Sequence, residues 1–582
     1  MLFNKAWRAS ILSVLIIGSI GSVSVYAEDE SEFSLDQVIH SRVSEMKAPK
    51  IRAGIVSDKT VLSSPSEKAR THVKQGFALI YAQWDFEAYR HFSEALEEDP
   101  DFLMAYAGIA FSLAKPHGEY AAYRVAAVNR ILDLVEADDE AVKKGQAGRF
   151  PLIEKQFAIA TANLVSAEPT VASNLFAQIG EEFPNHTMAV LTRIFLSSGG
   201  YDINGFETPS QKEGLEKATE LLKANPKSPT MHSFLMSLMA SAPAQQESVK
   251  KQALPSAHFL TRRFSDIPAW HHSLGHFSYL IGDYRSAKKA FRMSAKLYLS
   301  WMEENAVDHN DCEGYIKAMC YLADTLYRSG DFDEAMKVAK ELRTLKVDSE
   351  RVSSAGSQML LWRGYTLSAH LYIARGNAGD MELAHQSLPD KNELKPYLEN
   401  QELPTFVGLY IEALSTYIGV RKAIDVDSLE AAKVLHRDIL TKNMNSMASV
   451  LEVVKNTDEY SAYYEASLSM TIYGIELAGL IAQNGSEDDQ VLASSWFRSA
   501  IDRQGFSPLM LPASVIEPME NRLGEYHLEK QEYERAYESY SEALRKQHNN
   551  MPSLLGAKKA LDNMDKKKLS AAIEKKIKRA QR

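Results

Sequence analysis

Cysteine is nearly missing from this chain: among 582 residues only Cys312 and Cys320 occur. If both lie on one helix, the rise between them is about 12 Å, beyond the roughly 7 Å Cα separation a bridge tolerates. A disulfide framework is therefore excluded, and both thiols are expected to be free and mostly buried; a chain of this length can hold a core without bridges. Long apolar runs are missing too. After the first 27 residues no stretch could span a bilayer, so no membrane span is expected in the mature chain. Positive charge is in deficit, with a net charge of −10, which argues against nucleic acid as the main partner. Strand signals do not recur: there are no alternating Val/Ile/Thr runs closed by Asn-Gly or Asp-Gly turns. Catalytic signatures are also lacking, with no Gly-x-Ser-x-Gly elbow, Walker loop, His-Glu-x-x-His pair or Rossmann glycine fingerprint.

What the chain does have begins at its N terminus. Lys5 and Arg8 precede an apolar run from Ile11 to Val25, and Val25-Tyr26-Ala27 stands before acidic Glu28. This pattern predicts a signal peptide cleaved after Ala27, and a periplasmic or secreted protein. No cysteine follows the expected cleavage site, so the acceptor for a lipoprotein anchor is lacking.

Apolar residues recur at three- and four-residue spacing, which predicts an all-α fold. Gly76, Ala88, Phe92, Ala95 and Pro100 then set a spacing of small, small, aromatic, small and proline residues that is the tetratricopeptide (TPR) pattern. The glycine and alanines let two antiparallel helices approach, the aromatic fills their groove and the proline ends the second helix. Further copies run Gly275, Gly282, Tyr284, Ala287, Phe291; Ala323, Gly330, Phe332, Ala335, Ala339; and Leu523, Gly524, Tyr533, Ala536, Tyr540, Ala543. Gly282 and Gly330 occupy turns where positive φ is convenient. The resulting organisation is a signal peptide at 1–27, a flexible, weakly packed segment at 28–65, a repeat array at 66–346, a divergent helical region at 347–503, a C-terminal hairpin at 504–565 and a basic helical tail at 566–582. The expected architecture is a TPR-like helical-hairpin solenoid with divergent middle repeats.

Several segments add a resemblance. Asp99-Pro100-Asp101-Phe102-Leu103-Met104-Ala105-Tyr106-Ala107-Gly108-Ile109-Ala110 resembles the "DPxxxMAYWGIA" stretch of exported bacterial TPR proteins of uncharacterised function, with Ala107 where that group usually has Trp. Pro229 to Leu254-Pro255-Ser256-Ala257 followed by His272 to His276 is similar to the group's run ending in "HMPSHI", and Asp308-His309-Asn310 to a later His-Asn pair. The resemblance implies the fold and assigns no activity.

Histidine carries the densest chemistry. On one helix His272 and His276 are four residues apart and share a face, and His232 and His309 approach it if neighbouring hairpins pack in order. The four are candidate ligands for a divalent Zn²⁺ or a Cu ion, or a source of a general base. Against this, the resembling group often has a second histidine where this chain has Met236. His117, in a Pro-containing turn, together with Tyr106, Trp270 and His271, are candidate groove residues. Beyond the expected signal peptide the other tryptophans, Trp84, Trp301, Trp362 and Trp496, are anchors of a groove or interhelical core. The leading reading is an interaction scaffold in the cell envelope for an unidentified protein or peptide, without cofactor; the alternative is a metal-dependent or histidine-based enzyme.

Overall fold

The computed structural model describes residues 33–56, 62–114, 118–166, 169–202, 205–243, 247–398, 406–439, 444–453, 460–504 and 515–580. The expected signal peptide and His117 lie outside them. Among the described residues the only β feature is an isolated bridge between Tyr201 and Glu207, and no helix is long and apolar enough to cross a membrane. The fold is all-α and TPR-like.

Each of the four hairpins read from spacing is present: Glu67–Tyr81 with Asp85–Glu98, Pro268–Leu280 with Tyr284–Asn305, Glu313–Arg328 with Phe332–Thr344, and Met519–Glu529 with Tyr533–Lys546. Their starts are set locally, Ser66 capping through its side chain onto the Ala69 N–H and Asp283 onto that of Ser286. The turn between the two helices is the same in all four. The residue two before the second helix has positive φ: Gly282 at 75° and Gly330 at 88°, but also Gln83 at 61° and Gln531 at 60°. The hairpin geometry thus demands a left-handed residue, and glycine only makes that conformation cheap.

The close approach of the first pair is visible at Phe92, which is wholly buried. A methyl group at Gly76 would sit 2.6 Å from its ring, and one at Gly108 on the next helix 2.2 Å. The aromatic of the second helix therefore needs a bare backbone on both sides, and the same clamp holds Tyr540 between Gly524 and Gly556.

Two parts of the expected organisation are corrected. The described part of 28–65 is not weakly packed. Val38 and Ile55 are fully buried, Tyr89 donates its hydroxyl to the Val38 carbonyl at 2.9 Å, and the Gln75 amide bonds both the N–H and the carbonyl of Arg52. This polar segment lies against the first hairpin because Val38, Val43 and Ile55 are buried and Tyr89 and Gln75 hold its backbone. The basic tail is likewise a repeat helix: Lys567–Ala580 pairs with Met551–Asn563 through a turn with Asp565 at φ 55°, and buries Ile573 and Ile577. Its lysines occupy the opposite face. The divergent region also folds as helices paired with chain neighbours, chiefly Phe406–Asp425 with Leu429–Asp438 and Tyr460–Gln483 with Glu487–Gln504.

The array does not run straight. Trp84, at the turn of the first hairpin, packs edge-on to Tyr298 and Trp301 at 6.1 and 5.4 Å. The Trp301 indole donates to Glu87, the Arg90 guanidinium to Asn305, and Tyr81 meets Phe234. Arg351, almost fully buried, bonds Glu119 with both arms at 2.8 and 2.9 Å and also binds Asp311, which accepts from the Tyr120 hydroxyl. These contacts close the first repeats onto the central ones. On the other side, Asn549 donates to the Gly282 carbonyl and Met551 covers Gly330, so the C-terminal hairpins seat on the turns of the central pair.

Candidate functional site

Where the first superhelical turn closes, it leaves a cavity of about 130 Å³. One wall is the first hairpin's turn, Tyr81 to Phe86. A second comes from Pro229–Leu238 and Pro268–Leu280, with Ser233, Met236, Ser237, Trp270, His272, Ser273 and His276. The third is the end of Tyr284–Asn305, with Tyr298 and Trp301, followed by Asn310 to Gly314 and Lys317.

The structure brings two of the four candidate histidines together here. His272 and His276 stack at helical spacing on Pro268–Leu280 and both reach the cavity. His276 donates from Nε2 to the Ala240 carbonyl at 3.2 Å. Nδ1 of His272 is buried without a hydrogen-bond partner. His272 as a whole is half-buried, and it lines the cavity. Burial pushes the pKa of His272 down to about 3, with the neighbouring His276 adding to it, and burial pushes His276 down to about 4. Both rings are neutral at neutral pH.

The expected four-histidine set is not assembled. His232 donates from Nε2 to the Pro226 carbonyl at 3.1 Å, meets Ser256 through Nδ1 at 3.0 Å, and stacks on Phe259. His309 gives its Nε2 hydrogen to the Lys346 carbonyl. Each of these rings is held by the backbone carbonyl of another residue. Among the described residues no group of three or more His, Cys, Asp or Glu side chains is placed to hold a metal ion.

The groove candidates divide. Trp270 lines the cavity and donates its indole N–H to Ser233 at 2.7 Å. Tyr106 is core: it is fully buried, with its hydroxyl on the Pro100 carbonyl. His271 bonds the Ser265 carbonyl at 3.0 Å and tethers the preceding turn instead of facing the cavity. Cys312, also in the wall, is free and buried, and desolvation drives its thiol pKa well up, which disfavours the thiolate. Cys320 is buried and free as well, its thiol pushed up to about 12.

Most of the wall was not singled out by sequence: Tyr81, Gln83, Asp85, Phe86, Tyr298, Glu313 and Lys317. One signal was there to be read. Tyr284–Asn305 has 22 residues where the second helix of the first hairpin has 14. Those extra turns carry Tyr298 and Trp301 out to the first repeat. Behind this aromatic wall Glu87, nearly inaccessible, accepts from Arg52, Arg90 and Trp301. Arg52 lies over Trp84 at 5.0 Å and Arg90 over Trp301 at 5.8 Å. A one-sided loss here would leave a buried charge uncompensated, so the wall is held rigidly.

No known family matches the sequence, and no curated protein does. Among solved structures, a monomeric mutant of IFIT1 with Gppp-AAAA matches at 12% identity, covering 88% of this chain and 90% of that one, with a TM-score of 0.28. The TPR domain of P58(IPK) matches at 14% identity, 86% and 99% coverage and a TM-score of 0.16. Naa15/Naa10 bound to HypK-THB matches at 13%, 88% and 94%, and 0.17.

Proposed function

We propose that this chain is an exported, non-catalytic helical-repeat scaffold that captures a peptide segment of a partner protein, one anchoring side chain of which enters the cavity. The carrying observation is the cavity itself, a hollow in which aromatic and polar side chains share the lining and Trp270 and His276 are already oriented by hydrogen bonds to Ser233 and the Ala240 carbonyl. Such a hollow accepts a side chain without first being rebuilt, which lowers the entropic cost of binding. Export to the cell envelope rests on Lys5, Arg8, the Ile11 to Val25 run and Val25-Tyr26-Ala27. N-terminal sequencing of the protein from the periplasmic or secreted fraction should return Glu28 as its first residue.

Peptide display against the mature chain tests the binding reading. Selected peptides should bind saturably, and Ser237→Trp or Ser273→Phe, each of which fills the hollow, should abolish binding with helical content unchanged. Binding that survives both fillings rejects the cavity as the anchor site.

A histidine-based enzyme is the second reading, favoured by the two neutral imidazoles in the wall. Turnover of any selected peptide that is lost in His272→Ala while binding is retained would favour it over the scaffold.

A further inference from the structure

Positive charge is in deficit over the chain as a whole, yet it is concentrated at one helix. Residues 566–582 hold six lysines and two arginines against one glutamate, a net of +7 in a chain of net −10, so the remainder carries −17. Folding then sorts these cations onto one surface. In Lys567–Ala580 the buried residues Ser570, Ile573 and Ile577 mark the side packed on Met551–Asn563. At helical spacing Lys568, Lys575 and Arg579 fall on the opposite side with Lys576 at its edge, and all four are exposed. Among the described residues no carboxylate pairs with any of these four, while Lys567 and Lys578 reach the exposed Asp565 and Glu574 at 3.4 and 3.5 Å. Ala571 and Ala572 lie among the cations, and Leu569, 49% exposed, stands two turns before Lys576 on the same edge. The result is an unpaired cationic strip about 21 Å long with an apolar edge.

From this strip we infer that the protein docks peripherally on an anionic phospholipid surface through the outward face of Lys567–Ala580, an interaction separate from the cavity. Three features select lipid over other polyanions. Three of the four unpaired cations are lysines, point charges suited to a diffuse layer of headgroups, whereas a built phosphate site favours the arginine fork. No Phe, Tyr or Trp occurs in 551–582, so this surface has nothing to stack on nucleic-acid bases. Leu569 can enter the headgroup boundary beside the lysines, as apolar residues of interfacial helices do. The acidic remainder of the chain is repelled by the same surface, so attraction is confined to this helix and sets one orientation. A second row of cations, Arg285, Lys289, Arg292 and Lys296 on Tyr284–Asn305, is not equivalent, because Arg292 lies near Glu334 and the row runs into Glu303 and Glu304.

The test is sedimentation of the full mature chain with vesicles of phosphatidylcholine alone and of phosphatidylcholine mixed with phosphatidylglycerol. The protein should bind only the second, and should be released when salt rises from about 0.1 M to about 1 M, which shortens the screening length from about 10 Å to about 3 Å. Lys568→Gln, Lys575→Gln, Lys576→Gln and Arg579→Gln should each weaken binding about fivefold, the worth of one cation near such a surface. All four together should abolish it, with helical content and peptide capture unchanged. The combined variant Arg285→Gln, Lys289→Gln, Arg292→Gln and Lys296→Gln removes the same charge elsewhere and should sediment like the parent, as should Ser237→Trp. Failure to bind the phosphatidylglycerol vesicles, binding retained by the first fourfold variant, or equal loss in both fourfold variants overturns the inference. So does tighter retention on random-sequence duplex DNA than on those vesicles, which would make nucleic acid the partner of this face.

Discussion

Acid should loosen this protein at particular helices, and the size of the effect follows from two buried histidines. His276 and His370 are each only 5% exposed. His370 sits between two hydroxyls, with Nδ1 on Tyr473 at 3.0 Å and Nε2 on Tyr410 at 2.9 Å. Burial pushes His370 down to about 3, with Arg363 contributing, and His276 down to about 4. Because the folded values lie below the unfolded value of 6.5, the unfolded chain takes up protons first. Stability is fully present above about pH 6.5 and falls as pH drops through the window down to the folded values. Between about pH 7.5 and about pH 5 each imidazole costs about 2 kcal/mol, or about thirtyfold in local opening. One buried carboxyl works the other way. Glu517 is raised by burial to about 7, so its protonation over the same window stabilises the fold by about 2 kcal/mol. The test is therefore differential. Helical arrays open in pieces, so hydrogen exchange is read on segments Pro268–Leu280 and Leu367–Arg375. Protection should fall about thirtyfold at Leu367–Arg375, where His370→Gln should remove the fall, and further at Pro268–Leu280, where His272 adds to His276 and only the double variant His272→Gln/His276→Gln should remove it. If both segments keep their protection at about pH 5, or if the glutamine variants lose it equally, desolvated imidazole is not the cause.

Other outcomes follow from the packing. Gly108→Ala should cost about 1–3 kcal/mol by driving a methyl group into the Phe92 ring, and Phe92→Leu in the same chain should recover part of it, as read from denaturation midpoints. Gly330→Ala, at φ 88°, should destabilise by about 1–2 kcal/mol, whereas Gln531→Gly at φ 60° should be neutral or stabilising. Arg351→Met leaves Asp311 and Glu119 without their guanidinium and should cost about 3–5 kcal/mol, with new proteolytic cuts where the first repeats meet the central ones. Both cysteines should be silent to a thiol reagent in the native protein and react together on unfolding.

The hairpins were legible because their determinants are local. Gly76, Ala88, Phe92 and Ala95 lie within two helices of one another, and the contacts they make are fixed once those helices form. The free, buried thiols followed from the same short-range geometry. The basic tail was read as a separate helix because its lysines outnumber its buried residues; that Ile573 and Ile577 complete a further hairpin shows only when Met551–Asn563 is in place. The packing of the N-terminal segment is hidden for a similar reason, since Val38 and Arg52 find their partners Tyr89 and Gln75 on a hairpin that follows them in the chain.

The candidate site was legible only in part. Spacing put His272 and His276 on one face of one helix, and they do share the cavity; Trp270 joins them there. Spacing could not say that His232 and His309 would be turned to the carbonyls of Pro226 and Lys346, because that choice depends on which carbonyl lies nearest once the loops are folded.

The sequence by itself determined the all-α class, the hairpin unit and the turn that repeats within it. Tertiary structure decided where the array closes. Glu87 and Trp301 are 214 residues apart and meet at 3.1 Å, and Arg351 reaches Glu119 across 232 residues. The path that joins them is the sum of small rotations between successive hairpins, each set by the sizes of side chains at an interface. No single spacing in the sequence records that sum, and the cavity exists only because it brings the first repeats back onto the central ones.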